Sequence, residues 1–255
     1  MLEAWDNRRQ KNLPVEAYVA TYGPKSDSRY RPGFRPKLRC LICSGTLHTF
    51  HEGTPAARWV HDPNPARKCP AKSPSRILQG LPSPVAPNLD GGTVLRTAFF
   101  RNWGRHWSRA RRLCQNAKIE SFVAFVAEAD ATGMWGRVGV REGFIPYLFL
   151  ASRDFPPLGC RVMRSAQAWQ RFAFDWRIQS LADLDSCNDG APQFVRMTFR
   201  APVRGEPKFD GLVRQEPIAL NTTYVFLPAL DLAESDVMAM EEAFPRELGV
   251  ACVMA

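Results

Sequence analysis

The sequence predicts an α+β or α/β fold, a mixed sheet with packed helices, preceded by a small separate module at the N-terminus. Cysteine and histidine residues cluster between residues 40 and 69. Five prolines between residues 69 and 87 predict an extended connector, because proline prevents a long helix. Helix-like and strand-like hydrophobic patterns follow. We therefore divide the chain into a module over residues 1–74, a linker over 75–92 and an α/β domain over 93–255.

The N-terminal module contains four residues that are typical of a metal site. Cys40 and Cys43 form a Cys-x-x-Cys pair, and the Ser-Gly and β-favouring residues after them predict a knuckle and a strand. A thioredoxin-like redox motif would instead begin a helix. With His61 and Cys69 the pair supplies three thiolates and one imidazole, a closed tetrahedral set that is typical of structural zinc. We predict a zinc-ribbon-like module with these ligands, and leave open sets in which His48 or His51 replaces His61 or Cys69.

Further motifs in residues 15–70 carry a resemblance to a known family. They are the apolar segment EAYVATY, the Cys-x-x-Cys pair, the run Arg58-Trp59-Val60-His61 and the final Cys69-Pro70. This pattern resembles the N-terminal zinc-binding region of CoiA-type competence proteins and related uncharacterised proteins. The resemblance implies a strand at EAYVATY, a β-hairpin, and a role in DNA uptake, mobile elements or defence. In that family a restriction-like nuclease domain often follows.

Composition excludes some classes of protein. An apolar content of 45% and a charged content of 23% are ordinary for a soluble globular chain. No apolar run approaches the roughly 18 residues of a membrane span, and the first ten residues lack the apolar core of a signal peptide. The cysteines outside the cluster follow no disulfide pattern. We expect a cytoplasmic protein that does not enter a membrane.

Charge is unevenly distributed along the chain. Residues 1–118 carry 21 Lys and Arg against 7 Asp and Glu, a balance of +14, whereas residues 119–255 carry a balance of −5. Such asymmetry favours contact between the basic part and a polyanion. For the acidic C-terminal domain we expect a protein partner. The predicted nucleic-acid-binding residues are Arg35, Lys37, Arg39, Arg58, Arg67, Lys68, Arg101, Arg105, Arg109 and Arg112.

The last four of these arginines lie on a helix that we expect to begin near Thr93. Its apolar stripe includes Leu95, Phe99 and His106 at helical spacing, which favours a core position for His106 over a ligand or a general base. Trp103 and Trp107 lie beside the arginines, and they could stack on unpaired bases or pack in the core.

The remaining predicted elements are a helix in residues 118–131, strands in 137–140 and 143–152, a helix or helix pair in 165–184, a strand in 193–202, a hairpin in 203–220, a strand in 223–230 and a helix in 232–249. Ser235 or Asp236 is the expected N-cap of the last helix, and Pro245 is expected to kink or end it.

We predict no catalytic residues. A restriction-type nuclease needs a Glu-x-Lys strand that follows another acidic residue, so that carboxylates hold Mg²⁺. The candidate is Glu206-Pro207-Lys208, with Asp189 before it and Asp210 after it, but Pro207 disfavours a central strand. A zinc-stabilised nucleic-acid-binding accessory protein is therefore the predicted function. A divergent metal-dependent nuclease and a protein-interaction scaffold with a structural zinc are the alternatives.

Overall fold

The computed structural model describes ten parts of the chain: residues 3–26, 35–62, 69–71, 88–158, 168–175, 178, 180–186, 194–200, 211–227 and 231–248. These parts form helices and two sheets, and every strand pairing among them is antiparallel. The predicted α+β class is confirmed, since the parallel sheet of an α/β fold does not occur in the described part of the chain. None of the described helices has the length and apolar character needed to cross a membrane.

The N-terminal sheet has five strands in the order β2-β1-β3-β4-β5. They are β1 (Glu3–Asp6), β2 (Lys11–Pro14), β3 (Leu38–Arg39), β4 (Thr46–Phe50) and β5 (Arg58–His61). The expected β-hairpin is formed by β4 and β5. The strand expected at EAYVATY is wrong, because this segment lies in helix α1 (Val15–Tyr22). Pro14 fixes the backbone just before that helix, and Val15 and Tyr18 bury one face of it at helical spacing.

The helices after the linker are α2 (Leu89–Leu113), α3 (Ile119–Ala131), α4 (Ile145–Ser152), α5 (Glu234–Ala243) and α6 (Pro245–Leu248). Helix α2 begins at Leu89 rather than near Thr93, since the Asn88 side chain caps it by accepting a 3.1 Å hydrogen bond from the Gly91 amide. The helix predicted in residues 118–131 is confirmed as α3. Pro245 follows the end of α5, as predicted, but the N-cap of α5 is Ala233 and not Ser235 or Asp236.

The C-terminal sheet has four strands in the order β6-β7-β8-β9. They are β6 (Asp154–Phe155), β7 (Trp169–Phe174), β8 (Phe194–Phe199) and β9 (Leu212–Ile218). The strand predicted in residues 193–202 is confirmed as β8. Strand β9 pairs with β8 and supplies one arm of the predicted hairpin, while residues 201–210 lie outside the described residues.

Four predicted elements are wrong. Residues 143–152 form the end of a 3-10 turn and the buried helix α4, because a short apolar run fits a fully buried helix as well as a central strand. Residues 137–140 form a turn in which Gly139 has φ +85° and an added Cβ would clash with the Leu181 carbonyl oxygen. The described residues of the helix expected in 165–184 instead include strand β7 and the start of a 3-10 helix, Leu181–Ser186. Thr223–Phe226 is a 3-10 turn rather than a strand, since the Asn221 side chain accepts hydrogen bonds from Thr223.

The C-terminal sheet lies between two hydrophobic clusters. Phe172, Phe174 and Phe194 pack with the helices on one face. Ala173, Val195 and Met197, which alternate with them along the strands, pack on the other face with the core of the N-terminal module. The module and this sheet therefore share one hydrophobic core. The predicted domain boundaries stay predictions, because residues 72–87 lie outside the described residues.

Arg171 in β7 connects the two parts of the structure. Its guanidinium group is 1% exposed and forms two hydrogen bonds of 2.6 and 2.7 Å with the Asp154 carboxylate. The same group donates to the carbonyl oxygens of Pro70 and Ala71 at 3.1 and 3.4 Å. A buried charge is stable only when it is paired and its donors are satisfied. Pro70 and Ala71, just after Cys69, therefore supply acceptors for the buried charge of Arg171 in the C-terminal sheet.

We expect Arg171→Met to lower the free energy of unfolding by about 3–5 kcal/mol, because it leaves the Asp154 carboxylate and two carbonyl groups without their donor. Urea unfolding monitored by tryptophan fluorescence measures this loss. Arg214→Met is the matched control, since Arg214 pairs with Glu216 of the same strand, β9, but its side chain is 67% exposed. The control should change stability by less than about 0.5 kcal/mol. Equal effects of the two substitutions would contradict this role of Arg171.

Candidate metal centre

Cys40 and Cys43 lie in a tight knuckle directly after β3. The Cys40 amide donates to the Gly45 carbonyl oxygen, and the Ser44 amide donates to the Cys40 carbonyl oxygen, each at 2.9 Å. Ser44 closes the turn in the left-handed region at φ +57°. The amides of Ile42 and Gly45 point at the sulfurs of Cys40 and Cys43 from 3.4 Å. The predicted knuckle is confirmed, and its backbone directs both sulfurs to one point.

The hairpin and the segment after it supply the other two residues. His61 is the last residue of β5, faces the core and is 2% exposed. Cys69 is fully buried beside it. The Cys40 and Cys69 sulfurs are 3.8 Å apart, and the Cys43 sulfur is 3.9 Å from His61 Nε2. The four predicted residues thus place their donor atoms within 4.8 Å of one another, which is close enough to bind one metal ion.

Gly45 leaves the space that this arrangement needs. A Cβ atom at this position would lie 3.2 Å from both the Cys43 sulfur and His61 Nδ1. The Cys43 sulfur and the His61 ring therefore lie against a residue that has no side chain. Gly45 belongs to the Ser-Gly pair that predicts the knuckle, but the sequence does not show that this glycine lies against His61.

The thiols in this cluster cannot all ionise unaided. Burial raises the pKa of Cys40 well above its usual value, and hydrogen bonds with Cys43 and Cys69 add to the effect. The hydrogen bonds that Cys40 and Cys69 donate lower the pKa of Cys43. For Cys69, a hydrogen bond with Cys40 lowers the pKa, but the interaction with Cys43 and burial outweigh it and raise the pKa to about 12. Ionisation is therefore favoured at Cys43 and opposed at Cys40 and Cys69, and a bound cation would favour the thiolate form of all three.

The two histidines of the alternative ligand sets lie elsewhere. His48 is on the outer face of β4, where its Nδ1 is 3.0 Å from the Asp62 carboxylate. His51 is exposed in the turn after β4, with φ +54° and its ring 4.0 Å from that of Phe50. Neither histidine belongs to the cluster.

The predicted nucleic-acid-binding residues of the module differ in their accessibility. Arg35 is buried, pairs with Glu52 at 2.9 Å and covers the ring of Tyr18. Lys37 and Arg39 are exposed at the start of β3, and Arg58 lies over the ring of Phe50. Arg67 and Lys68 lie outside the described residues. An accessible basic surface on the module therefore includes Lys37, Arg39 and Arg58, but not Arg35.

The four arginines of α2 do not share one open face. Arg101 and Arg112 are exposed. Arg105 donates to Asn102 and to the Val225 carbonyl oxygen, at 2.6 and 3.1 Å. Arg109 donates to the Tyr147 hydroxyl at 2.8 Å. The structure thus uses two of these arginines to attach α2 to neighbouring segments.

The aromatic residues near these arginines also pack in or against the hydrophobic core. Trp107 is buried and donates to Asp236 at 2.7 Å, while Trp103 is half-buried against the core. His106 lies in the core, as expected, with its Nδ1 2.8 Å from the Tyr224 hydroxyl and its ring stacked on Phe99. Burial lowers the pKa of His106, which favours the neutral imidazole.

The nuclease-like triplet Glu206-Pro207-Lys208, together with Asp189 and Asp210, lies outside the described residues. Comparisons of the chain with protein-family models, with curated proteins and with solved structures find no match. The Cys–His cluster and the surface around it are therefore the features of the described residues that bear on function.

We expect the purified protein to contain one equivalent of bound metal, and Cys40→Ser to lose it, because the variant leaves only three donors around the ion. Elemental analysis after gel filtration measures the content. Cys114→Ser is the matched control, since Cys114 is a buried thiol outside the cluster. Wild-type metal content in Cys40→Ser would contradict the assignment.

A milder change tests the same site in a protein that keeps all four donors. We expect Gly45→Ala to weaken metal binding, because its Cβ would crowd the Cys43 sulfur and the His61 ring. Competition with a chromogenic chelator measures the affinity. Gly53→Ala in the hairpin turn is the control, since nothing lies within 4 Å of its added Cβ. Because Gly53 has φ +76°, the control reports backbone strain without ligand crowding.

Proposed function

We propose that the chain is a zinc-stabilised nucleic-acid-binding protein that acts as an accessory factor rather than as an enzyme. The observation that carries the proposal is the cluster of three cysteines and one histidine beneath a basic surface of the N-terminal module. By its resemblance to CoiA-type proteins, we place this role in DNA uptake, mobile elements or defence.

Zinc is the metal that the donor set fits best. Thiolates favour a soft or borderline cation, and zinc binds them at about 2.3 Å in a tetrahedron, in which sulfurs lie about 3.8 Å apart. The sulfurs of Cys40 and Cys69 are 3.8 Å apart. Four protein ligands leave no position for a reacting water, so the ion supports the fold and takes no part in chemistry. We expect a reducing compartment such as the cytoplasm, where such thiols persist.

Nucleic acid is the partner that the charge favours. Residues 1–118 carry a balance of +14, and Lys37, Arg39 and Arg58 are exposed or half-exposed on the zinc module itself. Cations that neutralise phosphates release condensed counterions, which supplies most of the affinity in non-specific binding. The fixed zinc knuckle holds the basic strands at constant spacing.

The C-terminal part presents the opposite charge. Glu234, Glu241 and Glu242 are exposed on α5. We propose that this helix contacts a basic protein partner and not the nucleic acid, since phosphates and carboxylates repel each other. The scaffold alternative keeps this contact and assigns the zinc to the fold alone, and it is favoured by the structural use of Arg105 and Arg109.

We expect chelation of the metal to unfold the N-terminal module, because a structural zinc ion supplies much of the folding free energy of a small module. Near-ultraviolet circular dichroism with and without a strong chelator measures the loss of packing around Trp59. Added Zn²⁺ should restore the signal and Mg²⁺ should not, since Mg²⁺ prefers oxygen ligands. A spectrum that does not change after the metal is removed would contradict the structural role.

We expect binding to nucleic acid to weaken steeply with salt. If six or more phosphates are neutralised, affinity should fall by about a thousandfold or more between roughly 50 and 200 mM NaCl. Fluorescence anisotropy with labelled oligonucleotides measures this, and Arg39→Gln should reduce the slope of log affinity against log salt by about one phosphate contact. Arg246→Gln, which changes an exposed arginine of α6, should leave the slope unchanged. Absence of binding at low salt would favour the scaffold.

A further inference from the structure

The five-stranded sheet has one face that does not pack into the core. Side chains alternate between the two faces of a strand, and residues directly opposite each other in neighbouring strands share a face. The buried face contains Ala4, Leu13, Leu38, Leu47 and Trp59, each at most 4% exposed. The residues between them along the strands consequently form the other face, called the outer face below.

Strand register places aromatic and basic side chains next to each other on the outer face. Trp5 of β1 is directly opposite Arg39 of β3. Phe50 of β4 is directly opposite Arg58 of β5. His48, two residues before Phe50, lies on the same face. Three aromatic rings and two arginines thus come from four adjacent strands, although 45 residues separate Trp5 from Phe50 in the sequence.

These side chains are accessible and held in position. Phe50 is 41% exposed, although it is a large apolar residue. Its ring lies 4.0 Å from the imidazole of His51 and 5.1 Å from the guanidinium carbon of Arg58. Arg39 is exposed and donates to the Ser44 carbonyl oxygen at 3.0 Å, within the metal-binding knuckle. An exposed ring beside a cation can stack on a base while the cation contacts a flanking phosphate.

We propose that the outer face binds single-stranded DNA, with bases stacked on Trp5, His48 and Phe50 and with phosphates bound by Lys37, Arg39 and Arg58. The proposal rests on the proposed function and names its ligand more closely. Exposed aromatics on an antiparallel sheet can stack two or three bases in this way. Rings on a sheet face cannot stack on the bases of a duplex, because those bases are already stacked on one another and are reached only from the grooves.

The Cys–His cluster positions the two arginines of this site. The knuckle that follows Arg39 accepts its hydrogen bond through Ser44 and supplies Cys40 and Cys43. The last residue of β5 is His61, so the ion also fixes the strand that carries Arg58. Metal binding therefore sets the spacing between the two arginines of the outer face.

The test uses fluorescence anisotropy of the full-length, metal-loaded protein with a labelled 15-nucleotide oligo-dT at about 50 mM NaCl. We expect Phe50→Ala and Trp5→Ala each to weaken binding by about fivefold to one hundredfold, the range found for loss of one stacked base. Phe50→Tyr should bind nearly as the wild type does, because it keeps a ring, and Phe50→Leu should resemble Phe50→Ala. Phe226→Ala removes an aromatic residue that is 84% exposed in another segment and should have no effect.

Competition identifies the ligand class. Unlabelled single-stranded DNA should compete at least about tenfold better than duplex DNA of the same sequence, because only the single strand offers free base faces. Equal competition by duplex, or stronger competition by single-stranded RNA, overturns the assignment to single-stranded DNA. Salt-dependent binding that Phe50→Ala and Trp5→Ala leave intact overturns the outer face as the site but keeps the proposed function. Absence of binding to every nucleic acid overturns both.

Because Trp5 is half-buried, Trp5→Ala could disturb the sheet itself. Metal content and near-ultraviolet circular dichroism of each variant are therefore measured first. Photo-crosslinking of the wild-type protein to a bromodeoxyuridine oligonucleotide gives an independent measurement. Crosslinks to peptides containing Trp5 or Phe50 support the proposal, and crosslinks confined to α2 overturn it.

Discussion

Three sulfurs and one imidazole meet within 4.8 Å of one another, and a bound cation would compensate the negative charge that ionisation of the thiols creates. Burial opposes ionisation of Cys40, while Cys43 draws the shared negative charge toward itself. A dication removes this conflict and joins three segments that are distant in sequence: the knuckle, the end of β5 and the chain at Cys69. The knuckle after β3 and the end of β5, on one side of the five-stranded sheet, meet at this cluster.

The effect of the junction extends beyond the module. Directly after Cys69, the carbonyl groups of Pro70 and Ala71 accept hydrogen bonds from Arg171. Arg171 is in turn neutralised by Asp154, so the metal ligand and a buried ion pair share one short stretch of backbone. Loss of the metal would free this stretch and leave Arg171 with fewer acceptors in a place that water does not reach. We therefore expect metal binding and the stability of the C-terminal sheet to be coupled, although the sequence suggests two separate parts.

Local chemistry explains which features the sequence could predict. The knuckle, the β4–β5 hairpin and helix α3 follow from motifs or periodicities contained within about fifteen residues, and they are confirmed. The segment that forms α4 was predicted as a strand, since eight consecutive buried residues have no polar face to reveal a helical period. Strand β7 was mistaken for a helix because its neighbours β6 and β8, and not its own pattern, decide its conformation. The environments of Arg35, Arg105 and Arg109 depend on such long-range contacts. The distribution of charge in the sequence therefore predicted more accessible basic residues than the structure has.

The shared core also imposes an order on biosynthesis. Arg171 follows Pro70 by 101 residues, and the apolar residues of β8 and β9 that cover the module come later still. At about 5–20 residues per second, a ribosome needs roughly 5–20 s to synthesise that interval. During this time the nascent module can already bind its metal, but the apolar surface that later faces the sheet stays uncovered. A metal ion bound at this stage would stabilise the incomplete chain, and without the ion the uncovered apolar surface would be open to chaperones and proteases.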